Sequence, residues 1–296
     1  MSPHSRKNSH LSMRTLKRLR AHALADLAKA ATRMRPPLAA VKADVFEFKP
    51  VEKVRKGEWL YAVPERGQTF SEFHRLEPPR INQKRSSILV VPMAPPGTRA
   101  PRQVKAVAAF LRAFFDCRVC ASRRVLLDDS LYNPRRRQYD ADAVLDLLGA
   151  QVPSDAIAVL GVTGEHLSRG RLRDVAGISA LKGRAAVISL ARCGRKGQRK
   201  SDAIRIAKNA AHELGHAVGM EHCPYFRCLM NGANSVKESD RIPLSLCPVC
   251  LAKVEWAFRL DLSKHCRRLK SYYTRSGWRR AAAFQKRLLS SLNSHV

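Results

Sequence analysis

The chain has 296 residues, 45% of them hydrophobic, and a formal net charge of +31. That length fits one sizeable domain with appended segments, or two small ones, around an ordinary apolar core. No run of 18 or more apolar residues occurs, which argues against a membrane-spanning helix. The charge is concentrated. Residues 1–60 carry 14 Lys/Arg against 5 Asp/Glu, and residues 261–296 carry 9 against 1, so +17 of the +31 sits in two terminal segments. Such segments are drawn to nucleic acid, acidic lipid or acidic protein, or are simply solvated.

Along the chain, Leu11 to Met34 reads as a basic helix ended by Pro36-Pro37. Its apolar stretch, Ala21 to Thr32, is broken by Asp26 and Lys29, so no secretory signal is read there. Residues 38–86 lack periodicity and read as a loosely structured lead-in. Ser87 to Met93 is a short apolar strand. Arg102 to Asp116 places Val104, Val107, Ala108, Leu111 and Phe115 at helical spacing. A second strand is expected in the latter half of Cys117 to Leu127, and an amphipathic helix over Gln138 to Gly149. Ala156 to Val162 is apolar enough to be buried on both faces as a third strand. Arg184 to Leu190 is a fourth strand, followed by a basic loop from Gly194 to Lys200. A helix then starts at Ser201-Asp202, residues suited to an N-cap. This order predicts an α+β, mixed α/β layered domain.

The chemistry concentrates in His212-Glu213-Leu214-Gly215-His216-Ala217-Val218-Gly219-Met220-Glu221-His222. Residues four apart share a helix face, so His212 and His216 can reach one ion. Gly219 can leave the helix sharply and bring His222 round as a third ligand. Three nitrogens leave an open, catalytic kind of zinc site, with Glu213 placed to act as general base. With 10 His and 11 Glu in the chain, the five-residue core of the pattern arises by chance in roughly one such chain in eighty. Requiring Gly219 and His222 as well lowers that to about two in a hundred thousand.

Four of the eight cysteines follow closely: Cys223, Cys228 and the pair Cys247 and Cys250. Two such arms suit tetrahedral sulfur coordination of a structural zinc, with free thiols or disulfides as the alternatives. A reducing, cytoplasmic setting is expected. Cys117 and Cys120 read as buried structural thiols, and Cys193 and Cys266 as inert. His74, His166 and His265 read as surface residues.

The run HELGHAVGMEHC, then Cys228-Leu229-Met230 and CPVC at 247–250, resembles the archaemetzincins, a branch of the metzincin zinc peptidases. SILVVPM, RRRQYDADAVLDLL, AVLGVTG and AAVISLAR extend the resemblance over roughly residues 65–260. It implies two zinc ions per chain: a catalytic one on His212, His216 and His222, and a structural one on Cys223, Cys228, Cys247 and Cys250. It implies Glu213 as the base and Met230 as the methionine of the turn beneath the metal. A metzincin-like twisted mixed sheet is implied too, with AAVISLAR as the cleft edge against which an extended peptide could pair. The sequence departs from the family at Gly164-Glu165-His166-Leu167, where an Asp and an aromatic are expected. The organisation is then a basic N-terminal extension (1–64), a zinc peptidase domain (65–260) and a basic helical C-terminal extension (261–296). Peptide or protein substrates, a monomeric state and polyanion contact through the basic termini are expected. The competing function is a nucleic-acid-associated zinc protein with weak or no peptidase activity.

Overall fold

Side chains that alternate between two faces turn three apolar segments into the centre of a sheet. The computed structural model describes residues 11–34, 39, 48–193 and 199–293. Its elements begin with α1 (Met13–Arg33), α2 (Trp59–Ala62), α3 (Phe70–Arg75), β1 (Ser87–Ala94) and α4 (Val104–Phe115). Next come β2 (Arg118–Ala121), β3 (Val125–Leu126), β4 (Tyr132–Asn133), β5 (Gln138–Asp140) and α5 (Ala141–Gly149). Then follow β6 (Ala156–Thr163), β7 (Leu167–Ser168), β8 (Gly177–Ser179), β9 (Ala185–Ser189) and α6 (Arg199–Ala217). The chain closes with α7 (Val236–Arg241), α8 (Pro248–Phe258), α9 (Leu262–Arg275) and α10 (Arg279–Asn293).

The main sheet runs β2-β1-β6-β9-β8, with β3 also on β1. All pairings are parallel except β8 with β9. β4, β5 and β7 make a small separate sheet. Ile88, Val90, Leu160 and Ile188 join the core beneath α4 and α6, whereas Val91, Met93, Val159 and Val187 join the core beneath α5. This period of two is the strand pleat. Each such buried side chain contributes about 1.5–3 kcal/mol. The result is the expected α/β layering, with a parallel-rich sheet between helices.

Several expected boundaries move for local reasons. The strand expected late in Cys117–Leu127 is two short strands, β2 and β3, with Ser122 to Arg124 between them. The helix expected from Gln138 starts at Ala141, because the Asp140 side chain caps it by accepting the Ala143 N–H. Gln138–Asp140 instead forms β5 and pairs with β4 and β7. α6 already runs from Arg199, so Ser201 and Asp202 lie inside its first turn rather than capping it. Residues 194–198 of the basic loop lie outside the described residues.

The lead-in at 38–86 is not loose where it is described. Thr69 and Glu72 form a reciprocal capping box that starts α3. Phe70 and Phe73 are fully buried. Buried Lys253 donates to both the main-chain and side-chain oxygens of Gln68, at 2.6 and 2.8 Å. These elements are too short to print a period on the sequence.

The described helices of both basic ends pack on the core. α1 buries Leu16, Ala23 and Leu27; α9 and α10 bury Leu269, Tyr273, Leu288 and Leu292. No described helix is long and apolar enough to cross a membrane. Cys117 and Cys120 are half-buried rather than buried, and burial pushes the Cys117 thiol up to about 12.

His74 and His166 lie at the surface, but His265 does not: it is 2% exposed, on the core side of α9. Burial, with Arg268 nearby, holds its imidazole down at about 4. An unfolded histidine titrates near 6.5. As pH falls, the unfolded chain therefore gains this proton first. The contribution is intact above pH ~6.5 and is lost progressively between ~6.5 and ~4, amounting to on the order of 3 kcal/mol. Urea denaturation across this window is expected to show that slope in the wild type and a flatter one in His265→Gln. Equal slopes would show that His265 is not the group responsible.

Candidate metal centre

Helix α6 carries two stripes. Ala207, Ala210, Ala211, Leu214 and Ala217 follow helical spacing and are buried in the core. Asn209, His212, Glu213 and His216, on the other side, line a cleft of about 730 Å³. The chain leaves the helix through Gly219, whose φ of +96° side chains rarely tolerate. That reversal returns His222 to the same cleft.

The three imidazoles are held from outside by their Nδ1 atoms. His212 Nδ1 lies 2.8 Å from the Leu229 carbonyl and His216 Nδ1 2.6 Å from the Met220 carbonyl. A carbonyl only accepts, so both Nδ1 atoms carry the proton and both Nε2 lone pairs face inward. His222 Nδ1 lies 3.0 Å from Glu65 Oε1. One ligand atom from each of the three histidines falls within a 4.8 Å spread, and the Nε2 atoms of His212 and His216 are 3.0 Å apart. A tetrahedral ion with bonds of about 2.1 Å needs nitrogens roughly 3.4 Å apart, so the donor set fits zinc. Burial, reinforced by His222, holds His212 down at about 4. Burial, reinforced by His212 and His222, puts His216 well below the usual range. Both are neutral, as ligands must be.

Glu213 is buried beside this centre. Burial raises its carboxyl to about 7, against the lowering effect of the Ser179 hydroxyl, which donates to Oε2 at 2.9 Å. A Cβ at Gly177 would lie 2.6 Å from Glu213 Cγ and Oε1. The edge strand β8 therefore touches the carboxylate twice, through a glycine that makes room and a serine that donates. Met230 lies beneath the helix: a Cβ at Gly215 would meet its Sδ at 2.7 Å.

The second cluster abuts the first. Cys223, Cys228, Cys247 and Cys250 are buried, with one sulfur from each inside a 4.8 Å spread. Cys223 and Cys247 Sγ are 3.6 Å apart. Zinc–sulfur bonds of about 2.3 Å give roughly 3.8 Å, so this set fits zinc as well. Burial opposes ionisation of Cys223, but the other three thiols outweigh it and hold the group well below the ordinary thiol range. Cys247 stands at the N-cap position of α8, and burial, with Cys223, Cys228 and Cys250 beside it, holds its thiol well above the ordinary range. Asn231 staples the turn between the clusters, donating to the carbonyls of Cys223 and Phe226 and accepting from the Cys228 N–H.

The structure thus brings together all the residues singled out in the two motifs. It differs over the cleft edge. β9, the AAVISLAR strand, is flanked by β6 and β8, so its main chain is already paired. The free edge is β8, whose three residues are too few to show alternation in sequence. Sequence reasoning also missed Ser179 and Gly177 at Glu213, and Trp59 and Glu65 at His222. No local pattern links Glu65 to a residue 157 positions away.

The sequence model of Peptidase family M54 matches residues 106–256, just over half of the chain. Archaemetzincin-2 of Homo sapiens is 28% identical over 255 residues, covering 71% of this chain and 70% of that protein. Archaemetzincin of Halobacterium salinarum is 33% identical over 159 residues, 51% of this chain and 91% of the relative. The crystal structure of archaemetzincin from Methanopyrus kandleri is 30% identical and superposes with a TM-score of 0.51, covering 59% of this chain and 96% of that one. With both metal clusters assembled and these likenesses in sequence and fold, the chain belongs to the archaemetzincins, peptidase family M54, a family of zinc metallopeptidases.

Proposed function

We propose that this chain hydrolyses peptide bonds at a zinc held by His212, His216 and His222, with Glu213 as general base and a second, structural zinc on Cys223, Cys228, Cys247 and Cys250. The observation that carries this is a buried carboxyl beside three converging imidazole nitrogens, in a cleft roofed by an unpaired sheet edge. Zinc bound there supplies Lewis acidity, which acidifies a water and polarises the scissile carbonyl. Glu213 takes the proton from the attacking water and delivers it to the departing amine. Burial suits it to both tasks, because it favours proton uptake by the carboxyl beyond that of an ordinary carboxylate. Ser179 holds that carboxylate towards the cleft, and Gly177 leaves it space. An extended peptide adds to β8 through main-chain bonds, which places a carbonyl above Glu213. Met230 packs under Gly215 and sets the floor of the centre.

The test is digestion of a mixed peptide library by protein carrying two zinc ions per chain, read by mass spectrometry. Cuts are expected with the wild type and none with Glu213→Ala at the same zinc content. Gly177→Ala, whose methyl would displace the Glu213 carboxylate, is expected to lose at least ~10-fold in kcat/KM with little change in Tm. Library turnover by Glu213→Ala at the wild-type rate would remove Glu213 from the mechanism.

A second reading concerns the C-terminal hairpin. Residues 262–296 hold nine Lys/Arg and no Asp/Glu. Lys264, Arg267, Lys270, Arg275, Arg279, Arg280, Lys286 and Arg287 are exposed on α9 and α10. A surface with that charge meets a nucleic-acid backbone without reading sequence. Replacing Arg267, Lys270, Arg279 and Arg280 with Gln is expected to weaken duplex DNA binding. It should flatten the log K against log salt plot by about 0.9 for each phosphate no longer neutralised, with peptide cleavage unaffected. An unchanged salt slope would exclude the hairpin as the binding face.

A further inference from the structure

The Nδ1 atoms of His212 and His216 are anchored by carbonyls within the stretch 212–230, but that of His222 is not. Its partner is the carboxylate of Glu65, at 3.0 Å. Glu65 lies upstream of the family-matched span, which begins at residue 106. The carboxylate is itself built in. Its Oε2 accepts from Trp59 Nε1 at 3.0 Å. The Trp59 main-chain N–H donates to the Glu238 carboxylate, at 2.9 and 3.2 Å from its two oxygens. Glu238 also accepts from the Asn234 N–H at 2.7 Å, and Arg241 donates to Glu58 at 3.3 Å. These bonds fasten the segment 58–65 to α7. The indole fits against Gly232, where a Cβ would collide with Trp59 Cδ1, and its ring centre is 5.1 Å from that of His222. Both Trp59 and Glu65 line the cleft.

We infer that the segment 58–65 completes the catalytic centre, with Glu65 as the positioning residue that fixes the ring and tautomer of His222 and Trp59 as the group that aims Glu65. The inference rests on the reading of His222 as the third zinc ligand. A carboxylate acceptor differs from the two carbonyls in kind. Its hydrogen bond is charge-assisted, and it makes the imidazole a stronger donor to a metal. His222 stands on a loop beyond Gly219, outside α6, so its ring direction must come from such a partner. His212 and His216 project from the helix, and main-chain carbonyls, those of Leu229 and Met220, orient their rings.

The experiment measures zinc affinity by chelator competition on the full chain, where the four-cysteine site serves as an internal control that retains its metal. Glu65→Ala is expected to weaken the histidine site 10- to 100-fold. Glu65→Gln, which keeps an acceptor but not the charge, is expected to fall between wild type and Glu65→Ala. Trp59→Phe, which keeps the ring but removes the N–H, should weaken it several-fold. A merely structural role would instead lower the thermal stability of all three variants and leave the affinity of the folded protein unchanged, and that result overturns the proposal. His222→Ala separates the ligand role from the positioning role. If it weakens the same site and Glu65→Ala does not, the positioning role is wrong and the ligand reading stands. If His222→Ala itself leaves the affinity unchanged, the ligand reading falls and the inference falls with it.

Discussion

The peptide unit joining His222 to Cys223 is constrained from both ends. One side chain points into the histidine cluster and the next into the sulfur cluster, so any shift of this link disturbs both. The surrounding hydrogen bonds are arranged to hold it. Cys223 N–H donates to the Met230 carbonyl at 2.8 Å, and its own carbonyl accepts from Asn231 at 2.5 Å. Leu229, next to Met230, supplies the carbonyl that orients His212. One short turn, 223–231, therefore serves His212, His222 and the sulfur cluster together. Its rigidity is a local matter, and the sheet acts mainly as the platform beneath it.

How much of this could be read from the sequence follows from the range of each interaction. The zinc helix is legible because its two stripes, 207-210-211-214-217 and 209-212-213-216, are both set by the 3.6-residue repeat. The central strands are legible because a buried strand must be apolar over its whole length, as Ala156 to Thr163 is. The sulfur cluster is legible through its paired spacing. By contrast, β8 has only three residues, and its place at the edge depends on pairing with β9, which no local pattern encodes. His265 looks like a surface residue until α10 covers α9. Glu65 is invisible for the same reason, since its meaning comes from a partner 157 positions later.

The basic ends show how charge and packing coexist. α9 and α10 put Leu269, Tyr273, Leu288 and Leu292 into the core, with Trp278 between them, and leave their cations outside. Their high charge is thus carried on a rigid face rather than on a floating tail. A rigid cationic face presents its charges at fixed spacing, which favours regular polyanions over irregular ones.

The position of β1 bears on where this chain can be shortened. The family match starts at residue 106, inside α4, yet β1 precedes it and lies between β2 and β6 in the sheet. A fragment trimmed to the match would lack a central strand and expose the flanks of its neighbours. A fragment starting just before β1 would keep the sheet but lose Phe70 and Phe73 from beneath α8, and with them the carboxylate behind His222. Sequence similarity marks the region that relatives share; for this chain the unit to isolate for study has to reach back at least to the segment that carries Trp59.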